Sequence, residues 1–153
     1  MSKKGFYTLN YIEGTQRQKI IAELAKRLRE GLPLMPIHYG FWQPQNPIYP
    51  SLYIVPSIEK FETISDAAYE RDLTVLIYYF LAAQSMDLIY HASEDALIAI
   101  QTSVDTDLYF GNGEENLCGK YGLVQTEILP EVNYKAVVSA VYHFKYVESK
   151  FIG

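Results

Sequence analysis

Residues Asp72 to Ala83, DLTVLIYYFLAA, constrain the fold more than any other stretch of the chain. The run is rich in β-branched and aromatic residues and reads as a strand. It is far short of the ~20 apolar residues that a membrane-spanning helix needs. Alternation puts Leu73, Val75, Ile77, Tyr79 and Leu81 on one face and Thr74, Leu76, Tyr78 and Phe80 on the other. Neither face is wet, so both need cover. A layer of helices can supply one cover; the other must come from a loop of the same chain or from a neighbouring molecule.

The rest of the chain says which segments could serve. A length of 153 residues fits one domain. Ile20, Ile21, Leu24, Ala25 and Leu28 recur at helical spacing, with Thr15 placed to cap and Gly31 to end a helix over Thr15–Gly31. Its other face, with Arg17, Lys19, Glu23, Lys26, Arg27, Arg29 and Glu30, is expected to be solvated. Pro33 to Pro50, PLMPIHYGFWQPQNPIYP, reads as an extended connection that folds down on the protein's own core or on a neighbouring copy.

From Ser51 the pattern is β. SLYIVP reads as a short strand ending at Pro56, IEKFETI as an edge or bent strand, and SDAAYER as the turn into the long apolar strand. A second helix is expected from Ser93, with Glu94 and Asp95 in its first turn and Ala96, Leu97, Ile100 and Val104 as its buried stripe. It should end before the acidic loop Gly111-Asn112-Gly113-Glu114-Glu115. Strands over Leu123–Leu129 and Tyr134–Val147, joined by PEVN, close the chain. The expected architecture is α+β: a single domain over residues 1–153, in the order α-β-β-(β)-α-β-β. In it a mainly antiparallel sheet carries two helices on one face, and residues 1–14 form an N-terminal extension.

Chemistry is sparse. The net charge of −5 argues against broad phosphate-backbone binding, and no basic-aromatic RNA-recognition motif occurs. The single cysteine, Cys118, rules out an internal disulfide and a multi-cysteine zinc site. His38, His91 and His143 show no ligand spacing, so no metal site is expected. The carboxylate pairs Asp105/Asp107 and Glu114/Glu115 lie at a helix end and in a glycine loop, where they read as solvated charge without the rigidity catalysis needs. No catalytic, cofactor-binding or metal-binding residue is expected, and no cofactor. There is no signal-peptide pattern, no membrane-spanning run and no membrane partner, so a cytoplasmic product is expected. The 14 tyrosines and 7 phenylalanines suit two uses equally: strand residues of a β-rich core, or protein interfaces.

The order of these segments, from the amphipathic helix through YPSLYIVP, RDLTVLIYYFLAA and SEDALIAI to LVQTEILPEVNYKAVVSAVYHFKY, resembles the tail terminator proteins of long-tailed bacteriophages, the group that includes the lambda tail terminator. The resemblance implies a virion structural protein, assembled in the host cytoplasm, that forms a homo-hexameric ring. The ring would cap the tail tube, end its polymerisation and dock the head connector or adaptor protein, with DNA passing through its lumen without specific binding. On charge, Asp105, Asp107, Glu114 and Glu115 are candidate lumen acids. Tyr39, Phe41, Trp42, Tyr78 and Phe80 are candidate interface residues. Two alternatives stand beside this: another neck, head-closure adaptor or tail-tube protein, and a small cytosolic ligand-binding domain or enzyme using the three histidines.

Overall fold

A computed structural model describes residues 15–40 and 44–149. The chain runs α1 (Gln16–Gly31), β1 (Ile37–Tyr39), β2 (Ser51–Ser65), β3 (Ala68–Ala82), α2 (Met86–Val104), β4 (Lys120–Glu131) and β5 (Lys135–Ser149). The five strands form one sheet in the order β1-β2-β3-β5-β4, antiparallel except for the β1–β2 pair. One face of the sheet and the apolar stripes of both helices make a single core. This is the α+β layering expected from the sequence.

The apolar strand β3 lies at the centre. Its residues Leu73, Val75, Ile77, Tyr79 and Leu81 are buried in that core beside Leu52 and Ile54 of β2 and Ala140, Tyr142 and Phe144 of β5. On its other face Phe80 finds cover within the chain, while Thr74, Leu76 and Tyr78 are half-buried. The Phe80 ring is met edge-on by Tyr49, at 5.9 Å, and by Tyr53, at 5.5 Å. Tyr49 comes from the proline-rich connection, donates its hydroxyl hydrogen bond to Glu131 and lies under the Lys135 ammonium. The connection therefore folds down on the sheet, and Phe80 ends 1% exposed.

Four segments differ from expectation. The connection holds a strand, β1, too short to show a period, which pairs in parallel with Leu52–Ile54. The break foreseen at Pro56 is a bulge: the register shifts between Pro56 and Glu59 and one strand continues to Ser65. That is the accommodation a proline without an N–H allows in a ladder. The polar stretch after Ser65 is mostly strand, with only Asp66 and Ala67 turning, and it pairs on both sides with Phe61–Thr63 and Tyr146–Glu148. Arg17, in the first turn of α1, meets this end of the hairpin at Glu59, 3.6 Å away.

Helix α2 begins at Met86, not Ser93. Ser85 caps it by accepting from the Leu88 amide, and Asp87 is the acid of the first turn. Ser93 lies buried mid-helix and returns its hydroxyl to the Ile89 carbonyl, so the second Ser-acid cluster mimics a cap without being one. Helix α1 is as read, with Thr15 and Gln18 forming a capping box. Gly31 also has a tertiary reason: a Cβ there would sit 1.9 Å from Ser103 Oγ, which is itself tied to the Ala99 carbonyl.

Candidate functional site

The charged face of α1 departs most from the sequence reading. Glu23 and Arg27 are buried, not solvated. Arg27 reaches across to the end of α2 and the loop that follows, and every N–H of its guanidinium has an acceptor. Nε donates to Glu23 Oε2 at 2.7 Å, Nη1 to the Val104 carbonyl at 2.7 Å and Asp107 Oδ1 at 3.2 Å, and Nη2 to Asp107 Oδ2 at 3.1 Å and the Gly111 carbonyl at 2.8 Å. Its plane lies 4.2 Å from the centre of the Phe110 ring. Such a planar, fully used fork is what arginine provides and lysine does not.

Asp107 is the other half of this clasp. It also accepts from the Phe110 and Gly111 amides and from the Tyr121 hydroxyl, holding Phe110 at a φ of 51° that a phenylalanine rarely adopts. Burial works against its ionisation, but the Arg27 guanidinium, the Gly111 amide and Tyr121 outweigh that and hold it below the ordinary carboxylate range. Of the four candidate lumen acids, Asp107 is therefore not simply solvated. Glu115 is paired with Lys19 at 3.1 Å, and the loop between them is ordered by Asn112, whose side-chain oxygen accepts from the Glu114 and Glu115 amides. Asp105 caps the C-terminal end of α2; burial pushes its pKa up, against the Tyr142 hydroxyl and Arg27, which pull it down. The Glu114 side chain forms no ion pair among the described residues. One loop gathers all four acids, and two of them already have cations.

Among the candidate interface residues, Tyr39 is exposed on edge strand β1 and Tyr78 is half-buried beside Phe80 on the sheet face away from the helices. Phe80 is enclosed by its own chain. Phe41 and Trp42 lie outside the described residues. The three histidines occupy three separate elements: His38 lies tilted against the Tyr53 ring, 4.9 Å between centres, His91 lies on α2 beside Tyr90, and His143 sits on β5 between Thr74, at 3.2 Å, and Asp72, at 3.3 Å. Among the described residues no group of three or more His, Cys, Asp or Glu side chains could hold a metal ion, and no helix is long and apolar enough to cross a membrane. Cys118 is buried, and burial raises its thiol to about 12, which leaves no thiolate for nucleophilic work at neutral pH.

What the surface does offer is apolar. Met86, Tyr90 and Ile98 stand exposed along α2, and Ile58, Val124 and Val147 on the sheet. Sequence reasoning missed these because exposure of an apolar side chain is decided by where its element sits.

No family model and no curated protein matches the sequence. Among solved structures the chain is similar to one from the virion of a native gene transfer agent particle, with a TM-score of 0.55 at 11% identity. The superposition covers 92% of this chain and 99% of that chain. At that identity the likeness is one of fold, and it extends through nearly the whole of both chains.

Proposed function

We propose that this chain is a virion structural protein of the tail terminator type, which assembles as a ring on the end of a tail tube, stops its growth and offers the docking surface for the head connector. The observation that carries the reading is the near end-to-end likeness of fold to a virion chain of a gene transfer agent particle. The segment order of the sequence points the same way. The chemistry is non-covalent. A cap of this kind needs two different surfaces, one matching the last tube ring and one matching the connector. The acids Asp105 and Glu114, which form no ion pair among the described residues, are the lumen charges of this reading, with Asp107 and Glu115 beside them. They would keep DNA sliding by repulsion.

The test is loss of the gene. Particles made without the protein should carry tails of irregular, excessive length when measured by negative-stain electron microscopy. Tails of normal length would exclude the terminator role. Normal tails that fail to join heads would transfer the chain to the neck adaptors. A reconstruction of the ring in which residues 105–115 face outward would remove the lumen assignment.

A further inference from the structure

Two exposed patches, one on each layer of the sandwich, carry clusters of opposite charge among apolar side chains. On the sheet face away from the helices, one cross-strand row runs Lys60, Asp72, Lys145, Lys120 through four strands, as the pairings Lys60 with Asp72, Asp72 with Lys145 and Lys120 with Lys145 fix. Three of the four are exposed lysines. Lys120 and Lys145 stand directly opposite each other, an arrangement that costs stability in an isolated sheet. Asp72 is engaged by His143 at 3.3 Å, and none of the three lysines has an ion-pair partner among the described residues. A groove of about 330 Å³ opens over Gly122, between Lys120, His143 and Lys145, where no side chain fills the space. Exposed Ile58, Val124 and Val147 lie around the row.

In the opposite layer α2 supplies the acids, beside an α1 that carries exposed Lys26 and Arg29. Helix α2 carries Asp87, Glu94 and Asp95 and no lysine or arginine. All three acids are exposed, and none is paired with a described cation. At helical spacing they share the outward side with Met86, Tyr90 and Ile98, each more than half exposed. The buried side of the helix is the separate line Ile89, Ser93, Ala96, Ile100 and Val104.

We infer that the outer face of α2 in one copy docks on the lysine row of the sheet in the next copy. The sheet offers Lys145 and Lys120 side by side over the groove at the β5–β4 end of the row, away from Glu62 and Glu70 in the next row at its β2–β3 end, and α2 offers three unpaired acids of the matching sign. The apolar residues favour a protein occupant over a phosphate backbone, because exposed Ile, Val and Met gain from burial and phosphates give them none. The two patches lie on opposite layers of the molecule, so the contact is heterologous: each copy has one free patch of each kind, and a closed assembly leaves neither exposed. The inference deepens the ring reading by naming its interface, and it rests on self-assembly of the chain.

The experiment is charge reversal read by light scattering on the purified full chain at tens of micromolar. The unaltered protein should be oligomeric. Lys120→Glu with Lys145→Glu should reduce it to a monomer, as should Glu94→Lys with Asp95→Lys. All four substitutions should stay within a few degrees of the parent melting temperature, since every site is exposed. The variant carrying all four should regain the parent mass, and an equimolar mixture of the two single-side variants should assemble as well. If either single-side variant fails to fold, dissociation of the unaltered protein at about 1 M salt, where charges are screened beyond roughly 3 Å, takes its place as the readout. A monomeric unaltered protein, unchanged mass in the folded single-side variants, or a folded fourfold variant that stays monomeric overturns the inference. So does duplex DNA held at physiological salt by the parent and lost with the lysines while the mass is unchanged. Overlong tails from particles lacking the protein, together with unaffected mass in the variants, would discard this interface and keep the terminator role.

Discussion

Replacing Arg27 by Met isolates the interaction that joins α1 to the end of α2. The guanidinium and the Glu23 carboxylate are 6% and 8% exposed, so their attraction is little screened and the loss of one strands the other. Asp107 is 39% exposed and can turn to water, so its share of the loss is smaller. The Val104 and Gly111 carbonyls lose donors as well. Breaking a buried ion pair by removing one partner costs about 3–5 kcal/mol. For a domain of this length, that corresponds to a fall in melting temperature of roughly 6–20 °C. Thermal and urea unfolding followed by circular dichroism would read it. Lys26→Met, on the exposed neighbour, should stay within about 0.5 kcal/mol and serves as the control. An Arg27→Met variant as stable as the control would refute the reasoning, because it would mean that Glu23 is solvated in the folded protein.

Outcomes are expected at further sites as well. Ile77→Asp, which puts a carboxylate at a fully buried position between Ile54 and Ala140, should cost several kcal/mol, comparable with a domain's whole stability, and abolish soluble protein; Tyr78→Ala should be better tolerated. Asp105→Asn should raise the melting temperature at pH 7. The fold raises the Asp105 pKa, chiefly by desolvation at a position that still keeps contact with solvent, so its ionised form is mildly destabilising, and the helix dipole at this C-terminal cap adds to that. The penalty is absent below the unfolded pKa of about 3.9 and complete above the folded value, so the gain should vanish by about pH 3; a gain that persists there would be unrelated to charge. Asp107 has the opposite sign: its lowered pKa contributes stability above about pH 4 that is lost as pH falls through the folded value. Cys118 should resist a thiol reagent in the native state at pH 8 and react at once in urea; rapid native labelling would contradict its burial.

The spacing of residues was enough to place the central strand and its two faces, the α1 stripe and cap, and the inward face of β5, with Ala136, Val138, Ala140, Tyr142, Phe144 and Tyr146 all buried. Periodicity carries this information because side-chain direction repeats every two or 3.6 residues whatever the surroundings. Other features depend on contacts between distant segments. Ser85 and Ser93 are each followed by acids, and the choice of cap fell to the one that lets Ile89 join the core. Arg27 and Lys26 are neighbours of the same charge, yet one is buried among five acceptors and the other is exposed, because the loop after α2 closes over only one of them. Lys60, Lys145 and Lys120 are far apart in the chain and form a row only once the strand order and register are set. A local pattern says which way a side chain points; what it meets there depends on elements distant in sequence.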